Sequence, residues 1–141
     1  MSMSTQRTFR DLEIWQLGLT LVIKIYSATK HFPNSELYII TAQARRSALS
    51  VPSNIAEGSR RHSPLEFMRF LNIALSSLAE LETQMIVSQK LGYISEDVLN
   101  ELTEHIDHIS RKISNLSKRI APQNASRTTQ HAVRQTQNAQ Q

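Results

Sequence analysis

Four stretches of the chain repeat apolar residues at helical spacing, and the first of them is apolar on two sides. It begins near Asp11 and is expected to end before Pro33, because proline disfavours the helical conformation in the residue that precedes it. One stripe consists of Leu12, Trp15, Leu19, Val22, Ile23 and Tyr26, and the other of Ile14, Leu17, Leu21 and Ile25. A helix with two apolar sides is expected to be buried on both. In a small bundle, we expect the second apolar side of this helix to be buried by contact with another subunit.

The second stretch contains a proline inside its helical pattern. Small and apolar residues recur over residues 37–55 at steps of four and three, and Pro52 lies on this pattern. Pro52 has no N–H for the Ala48 carbonyl and its ring crowds that group, so a kink or a break is expected there. Asn54 and Glu57 have the spacing of a capping pair that would restart the helix. Gly58 is expected to end it in a left-handed conformation.

The third and fourth stretches have the most regular spacing. Ser63-Pro64-Leu65-Glu66 is a helix start signal, with a serine cap, a proline in the first turn and a glutamate three residues after the cap. Gly92 marks the end of that helix after about 27 residues, or roughly 40 Å. Ser95 is expected to cap the last helix, whose apolar residues repeat with a period of about 3.5 residues until Pro122.

Together these stretches predict an all-α fold. Four helices of similar length joined by short loops indicate an antiparallel up-down-up-down four-helix bundle over residues 9–121, with the second helix kinked near Pro52. Residues 1–8 are expected to form a flexible N-terminus. Residues 122–141 are rich in glutamine, carry two arginines and no acid, and are expected to be a disordered basic tail.

Composition narrows the class of protein. The chain has 141 residues and no cysteine, which excludes disulfides and thiolate metal sites and fits a reducing compartment. Its first residues lack the apolar run of a signal peptide, and no apolar stretch reaches the roughly 18 residues that span a membrane. We therefore expect a cytoplasmic protein with no membrane partner.

The charges are unevenly distributed along the chain. The net charge is +4, with seven acids against Lys90 alone in residues 80–107 and six bases without an acid in residues 108–141. Such asymmetry suggests a polyanion or an acidic protein as partner, although for a net charge of +4 alone a solvated surface is the favoured explanation. Cations near the end of the last helix also favour its dipole, and with Arg127 and Arg134 they would form a basic arm.

Candidate contact residues for a polyanion follow the second helical stretch. Arg60 and Arg61 come directly after its expected end, and Arg69 lies on the next helix, so the three side chains would converge across a tight turn. Arginine forks suit phosphate oxygens, and phosphate contacts give affinity that is independent of sequence and sensitive to salt. The alternative is that Arg60 and Arg61 are simply solvated.

A second pair of arginines, Arg45 and Arg46, lies before the small-residue seam of the same helix. Both are also candidates for contact with nucleic acid. A structural role is at least as well supported, since Arg46 would pair with Glu57 or Glu82 inside the assembly.

No set of residues predicts catalysis, a metal or a cofactor. Three glycines are too few for a phosphate-binding loop, and no serine is tied by motif to a histidine base. The acids and histidines of residues 101–108 lack the inward Glu-x-x-His pairs of a carboxylate bundle site and are expected to lie on a solvated face. Trp15 and Tyr26 are expected to pack in the core. The protein is therefore not expected to be an enzyme.

Long ordered motifs resemble a known family. Residues 9–15, Phe-Arg-Asp-Leu-Glu-Ile-Trp, together with residues 45–58, 66–84 and 91–94, are similar to the bacterial four-helix bundle family encoded in intervening sequences of large-subunit ribosomal RNA genes. The resemblance covers about residues 9–120. Tyr38-Ile39-Ile40 departs from it, because the family usually has tyrosine-glycine-leucine there, and the glutamine-rich tail lies outside it.

The resemblance implies a ring-like homopentamer. It also implies relatives that serve as accessory proteins of diversity-generating retroelements, in which a basic pentamer binds nucleic acid and a reverse transcriptase. We therefore expect a non-enzymatic, homo-oligomeric scaffold or adaptor that binds RNA or DNA through basic surface patches. The alternative is an accessory subunit that binds only protein, for example a reverse transcriptase.

Overall fold

The computed structural model describes residues 8–122, which form four α-helices and no strand. The helices are α1 (Glu13–Thr29), α2 (Ala42–Ser59), α3 (Pro64–Lys90) and α4 (Glu96–Ile120). Shorter helical segments are 3₁₀ turns at Phe9–Asp11 and Asn34–Glu36 and a π-helical turn at Leu37–Thr41. The predicted flexible N-terminus and disordered tail lie outside the described residues, except for Thr8 and Pro122.

The helices pack in an antiparallel ring. Each packs against the helices before and after it in the chain, and α4 packs against α1. Two ion pairs give the direction of that last contact. Glu13 at the start of α1 meets Lys112 near the end of α4, whereas Lys24 near the end of α1 meets Glu101 near the start of α4. The predicted up-down-up-down four-helix bundle is confirmed.

The start and stop signals of α3 and α4 act locally, as their spacing predicts. The Ser63 hydroxyl accepts the Glu66 N–H at 3.3 Å, and the Ser95 hydroxyl accepts the Val98 N–H at 3.2 Å. Gly92 has φ +80°, the left-handed conformation that glycine adopts without a steric cost. These caps satisfy backbone groups that have no partner inside the helix.

Only one side of α1 is buried within the bundle. Its buried residues are Ile14, Gly18, Leu21, Val22, Ile25 and Thr29. On the other side, Ile23 is 70% exposed, and Leu19 and Tyr26 are each 41% exposed. Trp15 packs against the core as expected, whereas the prediction of core packing is wrong for Tyr26.

Helix α2 runs through Pro52 without a break. It is α-helical from Ala42 to Ser59, so of the two outcomes expected at Pro52, a kink or a break, the break is wrong. The predicted restart is wrong as well, because the Asn54 amide donates to the Ser50 carbonyl at 2.8 Å instead of capping a new helix. A departure from helical backbone lies upstream, at Ile39 (φ −113°, ψ −105°).

Gly58 lies inside α2, and its predicted left-handed conformation is wrong. The helix continues to Ser59, and the backbone of Gly58 does not have a positive φ. A Cβ atom at this position would lie 2.6 Å from the Phe70 Cβ and 3.1 Å from the Phe67 Cδ1. Gly58 therefore permits the close approach of α2 and α3.

The antiparallel topology sorts the charges into two halves of the bundle. We call residues 8–21, 51–77 and 108–122 the basic half, since they contain eight Lys or Arg residues and four Asp or Glu residues. The rest of the described chain, residues 22–50 and 78–107, contains five Lys or Arg residues and eight Asp or Glu residues. Basic segments that are far apart in sequence thus meet at the end of the bundle where α1 begins, α2 turns into α3 and α4 ends.

Candidate nucleic-acid interface

A cleft of about 840 Å³ lies in the basic half, between the N-terminal 3₁₀ turn and the turn that joins α2 to α3. We call it the basic cleft. Its lining consists of Thr8, Phe9, Arg10, Leu12, Ser59, Arg60, Arg61, His62 and Phe67. Three arginines and a histidine are therefore combined with three apolar side chains, and the lining contains no carboxylate.

Local hydrogen bonds hold the N-terminal wall of the basic cleft. Thr8 and Asp11 form a capping box, in which the Thr8 N–H donates to the Asp11 carboxylate at 3.0 Å. The Gln16 side-chain amide donates to the Arg10 carbonyl at 2.8 Å. The Phe9 ring meets the Trp15 ring in an edge arrangement, with centroids 5.3 Å apart. This segment is thus fixed to the start of α1 by its own sequence neighbours.

Arg61 and Arg69 converge on one aromatic ring. Their guanidinium carbons lie 5.1 and 5.0 Å from the centroid of Phe70, a distance at which cation–π attraction operates. Arg61 also pairs with Glu57 at 2.7 Å, and Arg69 pairs with Glu66 at 3.3 Å. Both arginines are therefore already engaged, although they remain substantially exposed.

Arg60 and Arg10 are differently placed. Within residues 8–122, neither side chain forms an ion pair, and both are exposed in the basic cleft. The guanidinium carbon of Arg10 lies 5.1 Å from the Phe9 ring centroid, which holds this charge beside an aromatic face. Neither guanidinium donates a side-chain hydrogen bond to another residue of the described range, so both are placed to bind an anion.

Sequence reasoning did not select Arg10 as a contact residue. The segment Phe9-Arg10-Asp11 stood out only as part of a family motif, and the polar N-terminus gave no sign of what it would face. The topology of the bundle connects Arg10 to Arg60. Because α1 and α2 are antiparallel, the start of α1 lies near the end of α2.

Arg45 and Arg46 lie at the opposite end of α2 from Arg60 and Arg61, so the structure does not bring the five predicted arginines together. The Arg45 Nε–H donates to the Thr29 hydroxyl at 2.9 Å, and its guanidinium carbon lies 4.5 Å from the Tyr26 ring centroid. Arg45 therefore connects α2 to α1. The exposed Arg46 forms no ion pair within residues 8–122, so the predicted pairing with an acid is not seen there.

The end of α4 adds further cations to the basic half. Lys112 pairs with Glu13 across the α1–α4 seam at 3.1 Å. Arg119 borders a smaller groove of about 410 Å³ beside that seam, and Lys118 is exposed. Arg127 and Arg134, the other members of the predicted basic arm, lie outside the described residues.

The acids and histidines at the start of α4 do not form a metal site in the described chain. Glu101 accepts a hydrogen bond from Lys24 at 2.7 Å, and this bond together with the lysine charge lowers the pKa of the Glu101 carboxyl. Within residues 8–122, no three histidine, aspartate or glutamate side chains are grouped for metal binding. None of the helices described is both long enough and apolar enough to cross a membrane.

Comparison with known proteins finds a matching family model and a solved structure with a similar fold. The model of the family described as "23S rRNA-intervening sequence protein" matches residues 10–115. A solved structure from Bacteroides thetaiotaomicron VPI-5482, described as a protein of unknown function from the S23 ribosomal protein family, superposes with a TM-score of 0.69. The two chains are 23% identical, and the match covers 74% of this chain and 98% of the other. At that identity the likeness shows the fold alone. No curated protein matches the sequence.

Proposed function

The chain belongs to the 23S rRNA-intervening sequence protein family, and we propose that it is a non-enzymatic, homo-oligomeric helical scaffold that binds RNA or DNA through the basic cleft. The observation that carries this proposal is the meeting of three separate basic segments at one end of the bundle, with Arg10 and Arg60 free of ion pairs within residues 8–122. Two exposed guanidinium groups on a cleft without a lining carboxylate suit phosphate oxygens.

The roles within the interface differ among the arginines. Arg10 and Arg60 contact phosphate directly. Arg61 and Arg69, which are held over Phe70 and paired with acids of their own helices, supply the surrounding positive potential. An exposed ion pair is weak, so phosphate can also compete for these two arginines. Lys118 and Arg119 extend the positive surface toward the end of α4.

An exposed apolar face supports self-association. We call Leu19, Ile23, Tyr26, Leu37, Tyr38 and Leu49 the apolar face; these side chains range from 41% to 88% exposed. Contiguous exposed apolar surface marks a site of protein contact. In a ring, such as the pentamer that the family resemblance implies, each protomer would present its own basic cleft, and several weak phosphate contacts would combine into useful avidity. A cytoplasmic location is part of this proposal.

The test compares two single substitutions on the same helix. Arg60→Ala and Arg46→Ala each remove one exposed arginine and one charge, but from opposite ends of α2. Binding of a labelled oligonucleotide is measured by fluorescence anisotropy over a series of salt concentrations. We expect Arg60→Ala to weaken binding and to reduce the salt slope by roughly 0.7–0.9 for each phosphate that the variant no longer neutralises. Arg46→Ala is expected to change the affinity and the salt slope only as much as the loss of one unit of net charge does.

Two outcomes would contradict the proposal. Equal effects of Arg60→Ala and Arg46→Ala would mean that net charge, and not the basic cleft, controls binding. Absence of binding to any RNA or DNA by the unaltered protein at low salt would remove the nucleic-acid function altogether.

A second candidate function rests on the apolar face. If another protein occupies that face, the chain acts as a protein-binding accessory subunit, for example of a reverse transcriptase, with no direct role for nucleic acid. Light scattering separates the two uses of the face. A monomer in solution would leave it free for a different protein, whereas a stable oligomer that Ile23→Glu dissociates would show that copies of this chain cover it.

A further inference from the structure

Aromatic and apolar side chains make up a third of the basic cleft, and phosphate contacts alone do not explain them. Leu12 and Phe67 pack against the hydrophobic core, which accounts for their presence. Phe9 does not belong to that core or to the side chains packed against it. It is partly exposed, and it lies between the edge contact with Trp15 and the guanidinium of Arg10.

This arrangement joins a ring to two cations within one cleft. The hydrogen bonds of the N-terminal turn hold Phe9 and Arg10 in place, and Arg60 faces them from the α2–α3 turn. Proteins that bind single strands combine a positive groove for the backbone with aromatic side chains on which bases stack. In a duplex, by contrast, the bases already stack on one another, so a duplex offers such a site only its phosphates and base edges.

The size of the cleft is consistent with an unpaired nucleotide. Its volume of about 840 Å³ falls within the range of roughly 300–1,000 Å³ that is typical of small-molecule sites. A convex bundle surface with cations alone would be sufficient for the backbone of a duplex.

We propose that the basic cleft binds an unpaired nucleotide of a single-stranded nucleic acid, with the phosphate on Arg10 and Arg60 and the base against Phe9. The proposal rests on the nucleic-acid function proposed above and specifies its substrate. The protein would then bind single strands, loops or ends of nucleic acids. The surrounding cations of the basic half would contact the nucleic-acid backbone on either side of the bound nucleotide.

The test uses one single-stranded oligonucleotide and a hairpin duplex of matched length and composition. Phe9→Leu removes the aromatic face but keeps an apolar side chain of similar size and leaves every charge in place. We expect the single strand to bind at least tenfold more tightly than the duplex. Phe9→Leu is expected to weaken single-strand binding about fivefold or more, the lower end of the range for one stacked base, and to leave duplex binding unchanged.

The only tryptophan provides a second measurement that needs no substitution. Trp15 lies 5.3 Å from Phe9, so a base entering the cleft is expected to change its fluorescence, whereas a duplex bound at the surrounding cations is not. This readout remains decisive if Phe9→Leu disturbs the N-terminal turn.

The outcomes separate the two proposals. Equal affinity for single strand and duplex, together with equal effects of Phe9→Leu on both or an unchanged Trp15 signal, would overturn the single-strand inference and leave the basic cleft as a general phosphate site. No binding of either oligonucleotide at low salt would overturn the nucleic-acid function itself.

Discussion

Replacing Gly58 by alanine tests how closely α2 and α3 approach each other. The added Cβ would lie 2.6 Å from the Phe70 Cβ, whereas carbon atoms in contact prefer about 3.5–4.0 Å. The Phe70 Cβ is bonded directly to the backbone of α3, so no rotamer change can move it away. The two helices would have to separate locally by roughly 1 Å.

The expected magnitude is a balance of two opposing terms. Overpacking of this kind destabilises a core by about 1–3 kcal/mol. Alanine recovers about 1 kcal/mol, because glycine is the weaker helix former. We therefore expect Gly58→Ala to lower the free energy of unfolding by up to about 2 kcal/mol, which corresponds to a Tm lower by up to roughly 8 °C in a bundle of this size.

Asparagine distinguishes close packing from a left-handed backbone. Asparagine tolerates the left-handed region better than alanine does. At Gly92, where φ is +80° and an added Cβ meets no atom within 4 Å, Asn is expected to be less destabilising than Ala. At Gly58 the order is reversed, because Asn adds the same clash and has a lower helix propensity. Gly18→Ala, whose Cβ would lie 3.3 Å from the Pro52 Cβ, is a milder control.

The assay is urea unfolding followed by circular dichroism at 222 nm, with all variants at one protein concentration because self-association would add to apparent stability. A Gly58→Asn variant that is more stable than Gly58→Ala would refute the reasoning, since it would mean that residue 58 needs a left-handed backbone and that α3 leaves room for a side chain.

Three further predictions concern a cap, an ion pair and the apolar face. Ser63→Ala is expected to lower the free energy of unfolding by about 1 kcal/mol and Ser63→Gly by only a few tenths, because glycine still suits a cap position; equal losses in urea unfolding would contradict this. Lys24→Met is expected to return the lowered pKa of Glu101 toward the ordinary carboxyl range in a carbon-13 NMR titration. The stabilisation from this pair is present above the unfolded pKa and is lost as pH falls through the folded pKa, so an unchanged titration would show that Lys24 is not the cause. Ile23→Glu is expected to reduce the mass measured by light scattering to that of a monomer, and an unchanged oligomer would place the subunit contact elsewhere.

The helical architecture could be predicted from the sequence because its signals are local. A serine cap and the N–H that it satisfies are three residues apart, as at Ser63 and Ser95, and the apolar period depends on neighbours three and four residues away. The family motifs pointed to the same bundle, and the family match over residues 10–115 agrees with them. The exposed apolar side of α1 also corresponds to residues of the apolar pattern, whereas its burial against another subunit stays a prediction.

The errors concern residues whose surroundings come from distant parts of the chain. A glycine near the end of a helical pattern suits either a left-handed cap or a close helix contact, and only the position of Phe70 on α3 decides for Gly58. Pro52 predicted a kink or a break and Asn54 a restart, but α2 continues as one helix because its packing against α1 and α3 outweighs one missing hydrogen bond.

The sequence by itself determined where α3 and α4 begin, where most of the helices end and which of their sides are apolar, since these depend on contacts within a few residues. Only the tertiary structure decided which charges act together. Antiparallel packing places Arg10 and Arg60, which are about fifty residues apart in the chain, on the lining of one cleft, whereas the length of α2 separates Arg60 from Arg45. The physical reason is that residues along one helix are separated by about 1.5 Å for each residue between them, whereas the fold brings the ends of different helices together.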